Sequence, residues 1–178
     1  FNAVRSSHNP SSPAFLAACD RLGMLVVEEA FDMWRVAKNP DDYSLYFDGW
    51  WKQDLTAMVR QGANHPSIFM WSIGNEIPER GEPDGVNTAR MLAEETRRLD
   101  PTRPVTQAVP GSAGPEVTGP DGKPDQAAYQ FLDVAGYNYK LSVYERDHAR
   151  FPDRVMMGTE SFPKDIDKVW RLTEKSPY

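Results

Sequence analysis

FMWSIGNE, residues 69–76, decides the fold. Phe69, Met70, Trp71 and Ile73 form an apolar run of strand length, too short and too continuous for an amphipathic helix. A strand that is apolar toward both sides suits a parallel sheet covered on both faces. The run stops at Gly74, and an amide, Asn75, and a carboxylate, Glu76, follow at once. A carboxylate at the end of a buried strand needs either solvent or a partner that makes use of its charge.

Working outward, the same alternation repeats. Residues 2–8, NAVRSSH, read as a strand ending in polar groups. Ser12 then serves as an N-cap with Pro13 at the first helical position. Phe15, Leu16, Cys19 and Leu22 have helical spacing, and Gly23 supplies a C-terminal stop. MLVVEE (24–29) is a second buried strand, closing on two acids. A helix is expected over 43–62, with Phe47, Trp51, Leu55, Met58 and Val59 on one face. Its aromatic residues, Trp50 and Trp51 included, read as packing rather than ligand binding. Further helices are expected near 85–99, 125–132, 141–150 and 164–173, and further strands at 103–109, 133–139 and 154–160. The Gly- and Pro-rich segment from Pro110 to Lys123 reads as a surface loop. The result is an α/β chain of about six strand–helix units, hence one parallel sheet with helices over it.

Composition narrows the classes. The 178 residues suffice for one core, and a 40% hydrophobic content suits a globular chain. A net charge of −6 with no basic cluster argues against nucleic acid as a partner. No apolar stretch reaches the length of a membrane span. Cys19, the only cysteine, forms no internal disulfide and reads as a small core residue. The first residues read as a strand rather than a signal peptide, which leaves the compartment open.

In sheets of this type, functional groups gather at the carboxyl ends of the strands. Those ends carry Ser7-His8, Glu28-Glu29, Asn75-Glu76, Gln107, Asn138-Tyr139 and Glu160, while the opposite ends offer mostly Pro66, Pro104 and Arg154. Glu76 and Glu160 end two strands that a barrel can bring face to face. Paired carboxylates suit glycoside cleavage, one protonating the leaving oxygen while the other attacks the anomeric carbon. Either glutamate alone reads equally well as a strand-end residue paired with a lysine or arginine; the set as a whole does not. Asn75 beside Glu76 is placed to hold a sugar hydroxyl. Asp32 and Trp34 in FDMW follow a strand end and are candidates to line a sugar site, Trp34 by stacking, with packing an almost equal reading. His65-Pro66 falls at the other end of the sheet and reads as structural.

NAVRSSHNP (2–10), CDRLGMLVVEEAFDMW (19–34), HPSIFMWSIGNE (65–76) and GTESF (158–162) together resemble the catalytic barrel of glycoside hydrolase family 2, the β-galactosidase family. The resemblance runs along nearly the whole chain. It implies a (β/α)8 TIM barrel, here partial, and a retaining exo-β-glycosidase acting on terminal β-linked sugars, β-galactosides first. β-Glucuronidase and β-mannosidase are alternatives within the family. By resemblance Glu76 matches the acid/base and Glu160 the nucleophile. Asn75 matches the contact to the sugar 2-hydroxyl, His8 a substrate-binding histidine and Tyr139 a tyrosine beside the nucleophile. Arg5 matches the arginine that pairs with the nucleophile's charge. No cofactor is implied. In some relatives a glutamate and a histidine after the third barrel strand hold a divalent ion; Met33 stands in that glutamate's place, so no metal is expected. NYK (138–140) is similar to an asparagine–lysine pair of β-glucuronidases but sits on a different strand end, which reads as coincidence.

Six units against eight imply that residues 1–178 correspond to the family's second through seventh strands, a single incomplete catalytic barrel domain. The first and eighth strands and the flanking β-sandwich domains are not in the sequence. An open sheet leaves two edges, so the chain is expected to be part of a larger multidomain polypeptide or to meet partner chains, another copy in a homo-oligomer among them. From other classes, a divalent-metal hydrolase using His8, Glu29, Asp32 and Glu76 and a non-catalytic sugar-binding module are the competing readings.

Overall fold

The six strands expected from sequence are found, with carboxyl ends that agree to within one residue except for the first, expected over 2–8 and found only over Ala3–Arg5. The structure is a computed structural model describing residues 1–110, 116–118 and 124–176. Six strands form one sheet: β1 (Ala3–Arg5), β2 (Leu25–Glu29), β3 (Ile68–Asn75), β4 (Val105–Pro110), β7 (Ala135–Asn138) and β8 (Met156–Glu160). They lie side by side in chain order and every pair is parallel. Helices α1 (Pro13–Leu22), α2 (Phe47–Gly62), α3 (Pro83–Leu99), α4 (Tyr144–Arg150) and α5 (Ile166–Lys175) alternate with them, giving a partial TIM barrel.

Local chemistry explains the elements. Ser12 caps α1 by accepting the Phe15 N–H, Pro13 follows it, and Gly23 ends the helix in the left-handed region at φ 66°. Helix α2 presents Phe47, Leu55, Met58 and Val59 to the core, each almost fully buried, a contribution of roughly 1.5–3 kcal/mol per large side chain. Trp51 packs against the core as expected, but Trp50 is exposed, so the packing reading fails for it. The main core lies between the sheet and α1–α3 and includes Leu16, Val26, Trp34, Trp71, Ile73 and Leu92. On the other face of the sheet Val27, Met70 and Val134 pack together.

Four further expectations need correction. Phe15 and Leu22 share the helical spacing of α1 but are exposed, because only Leu16 and Cys19 of that helix reach the sheet. Helix α2 starts at Phe47; residues Tyr43–Leu45 form a separate 3-10 turn capped by Asp42. The helix expected over 125–132 is only a 3-10 turn, Ala127–Tyr129. The expected loop contains strand β5 (Glu116–Thr118), which pairs antiparallel with β6 (Pro124–Gln126); the rest of that segment lies outside the described residues. His65 and Pro66 sit at the amino end of β3, where the His65 ring meets Asp20 at 2.6 Å, a structural contact as expected.

Candidate active site

Register aligns the ends. Glu29 pairs with Ser72 across β2–β3, Asn75 with Ala108 across β3–β4, and Asn138 with Glu160 across β7–β8. Directly after β3, Glu76 adopts φ 46°, and after β7, Tyr139 adopts φ 58°. Left-handed backbone at non-glycine residues costs of order 1–3 kcal/mol and clusters at functional sites. Both turns are pinned: the Glu76 N–H donates to the Ala108 carbonyl at 2.8 Å, and the Tyr139 N–H to the Glu160 carbonyl at 2.9 Å.

Glu160, whose side chain is 21% exposed, is held by two donors. The Arg5 guanidinium Nη2 bonds one carboxylate oxygen and the Tyr139 hydroxyl bonds the other. That bond to Glu160, followed by burial, pushes the Tyr139 hydroxyl up to about 12, so it stays a proton donor at ordinary pH. The His8 Nε2 lies 3.9 Å from the carboxylate oxygen that Arg5 holds. Glu76 is partly exposed, and its Oε1 accepts from the Asn138 amide at 3.0 Å. Asn138 also donates to the Asn75 Oδ1 at 3.3 Å and accepts the Thr159 hydroxyl at 2.5 Å. A chain of side chains thus runs from Asn75 and Glu76 through Asn138 to the residue preceding Glu160.

Asn75, only 4% exposed, donates to Asp32 at 2.9 Å. Lys38 bridges the Asp32 carboxylate at 2.7 Å and the Asn75 carbonyl at 2.9 Å. Burial acts to raise Asp32, but the Asn75 and Lys38 hydrogen bonds outweigh it and leave the carboxyl lowered. Asp32 is also the point where a neighbouring cavity of about 360 Å³ meets the site; Asn9, Ser11, Phe31, Tyr43 and Gln61 are among its other walls.

Seven of the eight expected site residues therefore fall into two hydrogen-bonded groups at the carboxyl ends of the strands: Arg5, His8, Tyr139 and Glu160 in one, and Asp32, Asn75 and Glu76 in the other. Trp34 is the exception. It is fully buried, its indole N–H donates to the Ile73 carbonyl at 3.1 Å, and its ring packs against Phe47. Packing, not sugar stacking, is its role here. Of the four ligands of the metal reading only His8 and Glu29 are in contact, and among the described residues no group of three or more His, Cys, Asp or Glu side chains is arranged to hold a metal ion.

Lys38 and Thr159 are not singled out in the sequence, and Asn138 and Glu29 are noted as strand-end groups but given no role in the glycosidase site. A usable signal existed for Glu29. Strand alternation places it on the face of Val27, toward the site, and Glu28 on the other. Glu28 accordingly turns away to accept the Ser11 N–H at 2.6 Å and the Ser11 hydroxyl at 2.8 Å.

A parallel partial barrel that carries Glu76 and Glu160 at the carboxyl ends of two of its strands defines a barrel protein whose polar groups gather at one end of the sheet. The chain belongs to glycosyl hydrolase family 2: the family's TIM barrel domain matches residues 1–149, which include Glu76 and stop short of Glu160. It is 36% identical to a β-galactosidase of Bacteroides ovatus over 90% of the chain. A crystal structure of a family 2 member from Bacteroides cellulosilyticus matches 98% of the chain with a TM-score of 0.88 and 46% identity. A β-D-glucuronidase from Dictyoglomus thermophilum matches 90% of it at 26% identity and a TM-score of 0.65. The chain spans 22% of the B. ovatus protein and 21% of the B. cellulosilyticus chain. No helix among the described residues is long and apolar enough to cross a membrane.

Proposed function

We propose that this chain is the catalytic barrel portion of a longer retaining exo-β-glycosidase, with terminal β-galactosides as the substrate. The observation that carries the reading is the double anchoring of Glu160. A nucleophilic carboxylate needs a partner for its charge and a fixed orientation, and Arg5 and Tyr139 supply both. In the first step a Glu160 oxygen attacks the anomeric carbon while Glu76, protonated, gives its proton to the departing glycosidic oxygen. The sugar is then bonded to Glu160, whose negative charge is gone. Glu76 next takes a proton from water, the resulting hydroxyl attacks the same carbon from the other side, and Glu160 leaves. Configuration is retained after two inversions, a route that requires carboxyl groups about 5–5.5 Å apart. In this reading Asn138 steadies Glu76 from its unprotonated side, and Asn75 and His8 meet sugar hydroxyls.

The test is made on the full-length enzyme with nitrophenyl β-galactoside, β-glucuronide and β-mannoside. Galactoside turnover should exceed the others; a preference for glucuronide or mannoside would move the substrate assignment within the family. Glu160→Ala should abolish turnover, with azide restoring it and inverting the anomeric centre. Glu76→Ala should slow poor leaving groups far more than activated ones, because only the former need the acid. Equal losses on every leaving group, with no response to azide in either variant, would overturn the roles.

A further inference from the structure

Glu29 has no role in the mechanism above, yet it is the most densely bonded carboxylate near it. Its side chain is fully buried. Oε2 accepts from Arg5 Nη1 at 3.0 Å and from the Ser72 hydroxyl at 2.6 Å, and Oε1 faces His8 Nδ1 at 2.9 Å. Its own backbone N–H donates to the Ser6 hydroxyl at 2.8 Å, which fixes the strand end that carries it. Two of its three side-chain partners, Arg5 and His8, are also the groups that approach the same oxygen of Glu160.

We propose that Glu29 is a positioning residue for the nucleophile: it locks His8 with the proton on Nδ1 and holds the Arg5 fork so that Nη2 meets Glu160. The inference rests on the glycosidase reading above and goes one residue deeper. Nδ1 also lies 3.4 Å from Arg5 Nη2, but its 2.9 Å contact to Glu29 is the shorter, and an ionised carboxylate only accepts, so His8 presents N–H to it. Nε2 then carries no proton in the neutral ring and faces the cleft as an acceptor, able to take a hydroxyl proton from a substrate sugar. The Arg5 fork is shared in the same way, one nitrogen on each glutamate, so its direction is set from both ends.

Glu29→Gln tests this with a definite geometric expectation. Arg5 cannot accept a hydrogen bond, so the amide oxygen must replace Oε2, where it also takes the Ser72 hydroxyl. The amide nitrogen then lands opposite His8 and, as a donor, turns the neutral ring to the Nε2–H tautomer. In the full-length enzyme, at a pH high enough for the ring to be neutral, the His8 ring ¹⁵N signals, assigned by their loss in His8→Gln, should show Nδ1 protonated in the native protein and Nε2 protonated in Glu29→Gln. Unchanged signals would overturn the proposal whether or not the protein is a glycosidase. A native enzyme that fails to turn over any glycoside would instead sink the functional reading and leave the tautomer result standing.

The kinetic arm asks whether the lock matters to the chemistry. Glu29→Gln should cut kcat/KM by about 100-fold, equally for activated and poor leaving groups, since the acid is untouched. Labelling of Glu160 by a 2-deoxy-2-fluoroglycoside should slow to match. Combined with His8→Gln, the loss should fall short of the product of the two single losses, because both act through one ring. Losses that multiply, or labelling at the native rate, would refute a positioning role. Should Glu29→Gln fail to fold, Ser72→Ala removes one donor and keeps the ion pair. It should slow labelling in the same direction by a smaller factor, and a native rate there would count equally against the proposal.

Discussion

At the scale of single residues, the site is a set of charges that stabilise one another, and His8 makes that measurable. The Glu29 hydrogen bond is the main cause that raises the His8 ring above its usual value; burial and Arg5 act the other way, and the charges of Glu29 and Asp32 add to the rise. A group whose folded pKa is raised stabilises the protein fully below its unfolded value, near 6.5, and loses that contribution as pH climbs through the folded value. The Tm gap between the native protein and His8→Asn should thus be widest near pH 5.5–6 and narrow toward pH 9. A gap that is flat or grows with pH would contradict the Glu29–His8 pairing. The residues of this cluster were individually legible in the sequence, since polar groups at strand ends have few bland explanations. Spacing did not give their pairings: Arg5 and Glu160 are 155 positions apart and were joined only by the family resemblance, and the second partner of Arg5, Glu29, was not foreseen. Trp34 shows the opposite failure. An aromatic after a strand end fits stacking and packing equally, and only the Ile73 carbonyl and the Phe47 ring settle which.

Elements were more legible than contacts, for a physical reason. Parallel strands buried on both faces read as continuous apolar runs, and Ser, Pro and Gly punctuate the helices between them. Helix α1 was readable to the residue because cap, first-turn proline and stop are each local chemistry. The antiparallel β5–β6 pair was not, since the glycines and prolines of that segment carry a loop signal. Two substitutions rank these local effects. Ser12→Ala removes the bond to the Phe15 N–H and should lower stability by about 1 kcal/mol. Gly85, in the first turn of α3, is a harder constraint: a Cβ there would lie 1.8 Å from the Glu79 carbonyl oxygen, which is backbone and cannot swing aside. Gly85→Ala should therefore cost more, about 1–3 kcal/mol or above. Chemical unfolding of the two variants side by side decides the order, and a milder Gly85→Ala would mean that the turn after β3 can shift to admit a methyl group.

At the scale of the whole molecule, the sheet is open. Strands β1 and β8 each hydrogen-bond to a single neighbour, whereas every strand of a closed barrel has two. Near the β8 edge Val155, Phe162, Ile166 and Trp170 are exposed, and near the β1 edge Phe1 and Leu25 are. Unpaired strand edges flanked by apolar side chains invite association. Residues 1–178 expressed alone should self-associate as concentration rises, by light scattering after size exclusion; a strict monomer over a wide range would show that these edges are protected. The same openness bears on catalysis. Arg5 and Glu160, at the edge strands β1 and β8, are hydrogen-bonded to each other, while the two further strands that would close a barrel, exclude water and help to orient a sugar are not among the described residues. Orientation supplies much of an enzyme's rate. Isolated residues 1–178 should accordingly hydrolyse a nitrophenyl β-galactoside at least about 1,000-fold more slowly than the full-length enzyme. Comparable rates would mean that the six strands alone position the sugar, and that Glu76, Glu160 and their immediate partners suffice for the reaction.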